Sequence, residues 1–391
     1  MVKACARDAP SAVSVLSGPP PNRDIFSRSR AKKKAGVGSC SLVLRLGHGQ
    51  LRAYGDGMKE TLTLALPVPP VVDAVVIGRN EGARLIACLA SLRGRVRHLV
   101  YVDSGSTDGS RDAAAQAGAI VVALNMDFPF TAARARNAGL AELAAQSPRA
   151  DFVQFVDGDC AVAEGWIEAG LAGFAARPRA VVVCGRRRER YPDASVWNRL
   201  CDREWDTRVG RTRACGGDAL MRLAAVLRVG GYRESLIAGE EPDLCLRLTR
   251  AGGEVWRIEA EMTLHDAAIL RLGQWWQRMR RAGHAFAEGA ALHGAGPERH
   301  WVVETRRAVV WGVGVPLAAL VAGLMHPLGF GLLLAWPLQV MRLGWRWRAD
   351  GRAGWQAALF TVLGKLPEAQ GVATYWLNRL RNRQAGLIEY K

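Results

Sequence analysis

The chain has 391 residues, with 53 Lys and Arg against 36 Asp and Glu, and a formal net charge of +17. This length allows one large α/β domain with additional segments, and the charge indicates an anionic partner: a nucleic acid, a phosphorylated substrate or a membrane surface. The eight cysteines include no Cys-x-x-Cys pair, which excludes a disulfide framework and favours reduced packing residues.

Residues 1–57 are rich in Pro, Ser and Arg and contain the basic run Lys32-Lys33-Lys34 without sustained periodicity. This composition predicts disorder, with a basic arm for acidic lipid or nucleic acid as the alternative. No signal peptide is predicted, because the first apolar patch, residues 12–16, is short and runs into prolines. Met58 opens a smoother stretch and is an alternative start of translation.

Strands and helices alternate in the next part of the chain. Strands are predicted at residues 71–77, 98–102 and 119–124. Helices are predicted at residues 83–92, before Gly118 and at 131–146. The first strand is a continuous β-branched run, which is typical of a strand buried on both faces. The alternation predicts a parallel sheet with right-handed crossovers.

A further strand, residues 152–156, ends at Asp157-Gly158-Asp159. Two carboxylates at i and i+2 can bind one hard cation, while the glycine lets a phosphate approach the backbone. An Asp-Gly turn that only solvates the strand end is the alternative. Because ligands of such sheets bind beyond the carboxyl ends of the strands, Glu81 and Asp103 are expected at the same edge.

Residues 71–270 resemble the family 2 glycosyltransferases in the order of their motifs. The motifs are Asn80-Glu81, Asp103, Arg136-Asn137 with Gly139, Asp157 with Asp159, and Glu240-Glu241. The resemblance implies the GT-A fold, a nucleotide-sugar-binding α/β sandwich with a mostly parallel central sheet. The catalytic domain is therefore expected to cover residues 58–270.

The resemblance also implies roles for individual residues. Nucleotide-sugar binding is expected from Asn80, Glu81, Asp103, Arg136, Asn137, Asp157 and Gly158, and metal binding from Asp157 and Asp159. Transfer expels a diphosphate from an oxocarbenium-like state, so a divalent metal is expected to neutralise the departing charge, and carboxylates suit Mn or Mg. Loop residues at strand ends and a solvated helix face are the structural alternatives.

The acceptor and the catalytic base are expected further along the chain. Cys215-Gly216-Gly217-Asp218 resembles the acceptor segment of the family, which implies acceptor binding by Gly216, Gly217 and Asp218. In the family's Glu-Asp motif the second acid is the base, and here the motif reads Glu240-Glu241. We therefore predict Glu241 as the base of an inverting transfer, with Glu240 and Asp243 as alternatives. Helix capping by these acids is the structural alternative.

His265 ends a strand predicted at residues 255–264, where members of the family place a further metal ligand. A hydrogen-bonded loop histidine is the alternative. Another strand, residues 180–184, precedes the basic run 186–190, which either lines the diphosphate or acceptor path or is a solvated surface.

The carboxyl-terminal third predicts membrane association. Residues 271–305 mix tryptophans with arginines on an interfacial helical segment, with packing on the sheet as the alternative. In the remainder, 306–391, residues 308–325 and 327–341 lack charge but contain prolines, which favours a hydrophobic helical hairpin over two full spans. Arginines at both ends predict that both ends are cytoplasmic. Buried helices of a soluble domain are the alternative.

The leading hypothesis is thus a metal-dependent inverting glycosyltransferase at the cell inner membrane, with its catalytic domain cytoplasmic. It would move a sugar from a nucleotide sugar, with a UDP-sugar expected, to a hydroxyl of a lipid-linked or cell-envelope glycan. No nucleic-acid partner is expected. The alternatives are a nucleotidyltransferase on the same sheet and a non-catalytic protein that binds nucleic acid or membrane.

Overall fold

The computed structural model describes residues 44–47, 50–53, 69–146, 148–383 and 386–389. The chain divides into two units, Met1–Val68 and Pro69–Lys391. In the first, β1 (Leu44–Gly47) and β2 (Gln50–Ala53) form an antiparallel hairpin. Apolar and basic residues alternate in these strands, a two-residue period that the prediction of disorder for 1–57 overlooked. The rest of that prediction, and the alternative start at Met58, lie outside the described residues.

The second unit is organised by one mixed sheet. Its strands are β3 (Val72–Gly78), β4 (Leu99–Asp103), β5 (Ile120–Ala123), β6 (Phe152–Asp157), β7 (Cys160–Val162), β8 (Ala180–Glu189), β9 (Gly210–Arg211), β10 (Ala219–Arg222) and β11 (Glu254–His265). Their order is β5-β4-β3-β6-β10-β8-β11-β7, with β9 paired to β11. The predicted α/β class is therefore confirmed.

The sheet is less parallel than the sequence predicted. β3 is parallel to β4 and β6, β4 to β5, and β8 to β11. β10 is antiparallel to β6 and β8, and β7 and β9 are antiparallel to β11. β10 follows β9 after a loop, residues 212–218, and enters the sheet between β6 and β8 in the opposite direction to both.

Helices cover the sheet. They are α1 (Ala83–Leu92), α2 (Ser110–Gln116), α3 (Ala132–Ala145), α4 (Trp166–Ala175), α5 (Val196–Trp205), α6 (Leu223–Arg228) and α7 (Glu240–Arg250). α3 begins at Thr131, whose side chain accepts a hydrogen bond from the Arg134 N–H at 3.1 Å. It approaches β3 so closely that a Cβ at Gly139 would lie 2.4 Å from Val75 Cγ1. This contact holds α3 against β3 and so sets the position of Arg136, which lies on the same helix.

The carboxyl-terminal third is helical. Its helices are α8 (Leu272–His293), α9 (Val302–Val309), α10 (Val315–Met325), α11 (Ala335–Arg346), α12 (Gly351–Leu363) and α13 (Lys365–Leu380). A π-helical turn joins α9 and α10 into one apolar helix, Val302–Met325, with a mean hydropathy of 2.1 and only 17% of its most apolar window buried. The 3-10 segment Pro327–Leu334 then folds back against α10.

Trp301 connects this third to the start of α7. Its ring lies so close to two glycines that a Cβ at Gly239 would be 2.6 Å from it and a Cβ at Gly289 would be 2.4 Å from it. Gly239 is the residue before α7, and Trp301 is the residue before the apolar helix. The two helices are therefore anchored at one indole ring.

Candidate active site

A cavity of about 390 Å³ opens at the carboxyl ends of β3 and β6. Its polar lining comes from several elements: Arg79, Glu81, Ser104, Arg136, Asp157, Asp159, Arg187, Trp205, Glu240, His265, Arg278, Arg281 and Glu389. A concave site with acids and arginines at the carboxyl edge of an α/β sheet is suited to a phosphorylated ligand.

Gly158 brings two strand ends together. Its N–H donates to the Ile77 carbonyl at 2.8 Å, and a Cβ at this position would lie 3.1 Å from the same oxygen. Any larger residue would therefore push β6 away from β3. Gly158, where a close approach of phosphate was predicted, here holds the two strands together at the floor of the cavity.

Two arginines hold Asp157. Arg136 Nη2 lies 2.7 Å from Oδ1, and Arg187 Nη2 lies 3.0 Å from Oδ2. Burial opposes ionisation of this carboxyl, but the positive charges of Arg136 and Arg187 keep the pKa of Asp157 below its usual range. Arg136 also lies 2.6 Å from Glu240 Oε1 and so links β6 to the start of α7.

Asp159 and His265 form the pair best suited to a metal. His265 Nε2 lies 3.4 Å from Asp159 Oδ2, and Glu189 Oε2 lies 3.6 Å from the other ring nitrogen, Nδ1. A carboxylate behind a histidine is the arrangement that orients an imidazole toward a metal. Pairing of β7 with β11 places Cys160 opposite His265, and the three side chains lie within 4.8 Å of one another. Burial raises the pKa of the Cys160 thiol, so the oxygen and nitrogen ligands are preferred.

Glu241 and Glu240 occupy different positions at the start of α7. Glu240 lines the cavity, whereas Glu241 accepts a hydrogen bond from the Gly216 N–H at 2.9 Å. Burial, together with the adjacent charge of Glu240, raises the pKa of Glu241 to about 7. A carboxylate that titrates near neutrality is suited to general base catalysis.

Asp243 does not join them. Asp243 belongs to α7, and its side chain is buried, 2.8 Å from Arg247 Nε and 2.7 Å from His293 Nε2. It is absent from the cavity lining. We therefore withdraw it as an alternative base, because its carboxylate is used to tie α7 to the end of α8.

Three predicted nucleotide-binding residues hold loops in this structure. Asp103 Oδ2 accepts from the N–H groups of Gly105 and Ser106 at 3.1 and 3.0 Å. Asn80 Oδ1 accepts from the Thr107 N–H at 2.7 Å, and Asn137 donates to the Tyr232 carbonyl at 2.8 Å. None of the three lines the cavity, whereas Glu81 does. They shape the edge of the site.

The predicted acceptor segment lies against Asp157. A Cβ at Gly217 would be 2.5 Å from Asp157 Oδ2, so only glycine fits there. Asp218 is fully buried and accepts from the Asp157 N–H at 3.0 Å and from Thr263 Oγ1 at 2.8 Å. This aspartate therefore lies behind the cavity, and the role predicted for it in acceptor binding is corrected to support of the site.

Sequence reasoning missed several residues of the lining. Arg187 lies in the basic run 186–190, for which the sequence predicts either a ligand path or a solvated surface, and it lines the cavity. Arg278 and Arg281 lie on the helix predicted to face lipid headgroups, but both line the cavity. No sequence motif indicated that Trp205 would line the cavity. Glu389 lies near the carboxyl terminus, 3.2 Å from Arg79 Nη1.

Comparisons with known proteins agree with this geometry. Residues 73–223 match the family model described as glycosyl transferase family 2. The chain contains a family 2 glycosyltransferase domain. The domain covers β3 to β10 and thus most of the cavity floor.

One curated relative and one solved structure extend the likeness beyond the glycosyltransferase domain. A pre-mycofactocin glycosyltransferase of Mycobacterium tuberculosis is 29% identical over 286 residues, which cover 69% of this chain and 57% of that protein. The chain thus spans little more than half the length of this relative. The mannosyltransferase PcManGT from Pyrobaculum calidifontis, solved in complex with GDP-Man and Mn²⁺, is 20% identical, with a TM-score of 0.51. It matches 76% of this chain and 88% of its own, and supports the GT-A fold.

Proposed function

We propose that this chain is an inverting, metal-dependent glycosyltransferase that moves a sugar from a nucleotide sugar to a hydroxyl group. The observation that carries the proposal is the meeting, in one cavity at the sheet edge, of Glu240, an Asp-His pair and several arginines, with Glu241, whose pKa is raised to about 7, next to Glu240 in α7. A nucleotidyltransferase would share the acids, but the family domain favours glycosyl transfer.

Asp159 and His265 are the residues we assign to a divalent cation, Mn or Mg. A carboxylate and an imidazole suit Mn, and diphosphate oxygens or water would complete its coordination. The bound cation would neutralise charge on the leaving diphosphate. Both oxygens of Asp157 contact arginines, so its part is to position Arg136 and Arg187.

Glu241 is the base that we assign to the acceptor. Its carboxylate takes the proton from the acceptor hydroxyl as that oxygen bonds to the anomeric carbon of the donor. The bond from this carbon to the diphosphate breaks on the opposite face, and the nucleoside diphosphate leaves. One displacement inverts the anomeric centre.

The acceptor we propose is a lipid-linked or cell-envelope glycan, with the protein at the inner membrane and the catalytic domain cytoplasmic. Support comes from the exposed apolar helix Val302–Met325. Arginines lie near the start of this helix at 306 and 307, and others follow the second apolar stretch at 342, 346 and 348. Positive residues at both ends favour the same cytoplasmic side for both.

A panel of nucleotide sugars tests the proposal. Purified full-length protein is incubated with UDP-, GDP- and other nucleotide sugars and with Mn, Mg or EDTA, and release of nucleoside diphosphate is measured. We expect release with one donor class, dependent on metal. Release of pyrophosphate instead would establish a nucleotidyltransferase, and absence of both release and thermal stabilisation by every donor would refute the proposal.

A further inference from the structure

Arg187 is set apart from its neighbours on β8 by its surroundings. Arg188, the next residue, has a side chain that is 48% exposed and pairs with the exposed Glu261 at 2.6 Å. The Arg187 side chain is only 13% exposed and enters an acidic cluster. A buried arginine has to be compensated by partners, so its placement is specific.

The cluster around Arg187 consists of Asp157, Asp218 and Cys160. Its Nη2 lies 3.0 Å from Asp157 Oδ2 and 3.2 Å from Cys160 Sγ, and its Nε lies 3.2 Å from Asp218 Oδ2. The ligand atoms of these three residues lie within 4.8 Å of one another, close enough to surround a cation. The guanidinium of Arg187 therefore supplies a fixed positive charge at this point.

Trp205 places this charge beside the proposed cation. The guanidinium lies 5.0 Å from the centre of the indole, and the ring of His265 lies 4.6 Å from the same indole. Arg187 and the Asp159-His265 pair thus flank one side chain in the cavity. A diphosphate bridging these two positive centres would be neutralised from both sides.

The other arginines of the cavity are engaged differently. Arg136 uses both terminal nitrogens on Asp157 and Glu240. Arg278 is held by two hydrogen bonds to Glu204, at 2.8 and 3.0 Å. The contacts of Arg187 with the described residues use Nε and Nη2, which leaves Nη1 for a ligand, and a guanidinium has five donors.

We propose that Arg187 is a further donor-contacting residue: held by Asp157, Asp218 and Trp205, it binds the diphosphate of the nucleotide sugar opposite the divalent cation. This inference rests on the proposed function, since it names a residue of the same donor site. It predicts that loss of the guanidinium weakens recognition of the diphosphate and leaves recognition of the nucleoside unchanged.

The test compares Arg187→Gln and Arg187→Lys with Arg188→Gln, the matched exposed control on the same strand. Affinities for UDP and GDP, with Mn present, and for uridine and guanosine are measured by ligand-observed NMR, and melting temperatures by calorimetry. We expect Arg187→Gln to weaken diphosphate binding by about 10- to 100-fold, because each charge-assisted hydrogen bond contributes strongly. Arg187→Lys should recover part of this loss, and Arg188→Gln should match the wild type.

The outcomes separate the two proposals. Wild-type protein that binds neither diphosphate, nor any donor of the nucleotide-sugar panel, contradicts the proposed function itself. If the wild type binds one of them and Arg187→Gln binds it equally well, Arg187 is not a donor contact. Equal losses for nucleoside and diphosphate, or a collapse of the melting temperature in both Arg187 variants, would reduce Arg187 to a structural residue.

Discussion

Glu241, the base of the proposed mechanism, has a pKa near neutrality. Its pKa is raised to about 7 because burial and the charge of Glu240 both disfavour the carboxylate. A base must be deprotonated to accept a proton, so the active fraction of the enzyme rises as the pH passes through this value. A raised pKa in the folded state also means that ionisation of Glu241 lowers stability as the pH rises through about 7.

We therefore predict that kcat/KM falls about tenfold for each pH unit below the pKa of Glu241. Glu241→Gln should abolish sugar transfer, with nucleoside diphosphate affinity nearly unchanged, and should be more stable than the wild type above neutral pH. Steady-state rates from pH 5 to 9, nucleotide titrations and thermal melts measure these effects. Full activity of Glu241→Gln would place the base elsewhere, and Glu240 would be the next residue to test.

His265 gives a prediction on metal binding. His265→Gln removes an imidazole that faces Asp159 at 3.4 Å, so Mn affinity should fall at least about tenfold. The free Mn signal in electron paramagnetic resonance measures this loss without any turnover. Glu298→Gln, a change on the exposed surface, serves as the control. Unchanged Mn affinity in His265→Gln would exclude this histidine as a ligand.

The motif residues are easier to find in the sequence than their tertiary partners. Asp157, Asp159, Glu241 and His265 follow strand ends or begin a helix, and such positions can be recognised locally. Arg187 contacts Asp157 from a strand 30 residues later, and no local pattern shows that pairing. Asp103 has the same local pattern as a ligand, yet the structure uses its carboxylate on its own turn. Local chemistry therefore finds candidate acids, and tertiary contacts decide their roles.

At the scale of elements, α7 is held by the buried contact of Asp243 with His293 at 2.7 Å. Burial raises the pKa of Asp243, but hydrogen bonds from His293 and Arg247 outweigh it, so the pKa lies below its usual value. A lowered pKa stabilises the fold above the usual carboxyl range, and this stabilisation is lost as the pH falls through the lowered value.

Asp243→Asn should accordingly destabilise the protein by about 3 kcal/mol, because it removes a buried carboxylate charge that pairs with Arg247 and contacts His293. Transfer at low temperature should persist, since the residue does not line the cavity. Chemical denaturation and rates at 10 °C measure the two effects. The control is Glu298→Gln. It breaks a surface ion pair with Arg250, which lies on α7 like Asp243, and should change the melting temperature little. Loss of turnover in folded Asp243→Asn would restore this residue as a base candidate.

Strand direction was harder to predict than strand position. β3, β4 and β6 read as continuous apolar runs, and their parallel pairing was anticipated from the intervening helices. β10 has four residues and pairs with β6 and β8 in the opposite sense. Such a short segment carries no directional signal, so only the assembled sheet shows that it brings Asp218 behind Asp157.

At the scale of the whole molecule, the apolar hairpin gives the protein an asymmetric surface. Its turn is formed by strongly exposed apolar residues: Leu324 and Leu328 are 78% and 82% exposed, and Met325 is 84% exposed. Arginines lie at the base of the hairpin, in α9 and α11. An apolar turn suits the hydrocarbon core of a membrane, and arginines at the other end of the hairpin suit its anionic headgroups.

We expect the combined change Leu324→Lys, Met325→Lys and Leu328→Lys to release the protein from membranes, because three charges would have to enter the hydrocarbon region. Flotation on anionic vesicles and carbonate washing of native membranes measure this shift. Ile86→Lys, at an apolar residue of the glycosyltransferase domain that is 56% exposed, is the control. Retention of the triple variant in washed membranes would exclude the hairpin as the anchor.

The indole of Trp301 adds a practical consequence. Trp301 is the residue before the apolar helix. Its ring contacts Gly239, the residue before α7. A solubilising agent that tilts this helix would therefore disturb the segment carrying Glu241 while the sheet stays intact. Turnover measured in micelles and in reconstituted bilayers should differ for the same folded protein, so preparations ought to be compared in a lipid environment of known composition.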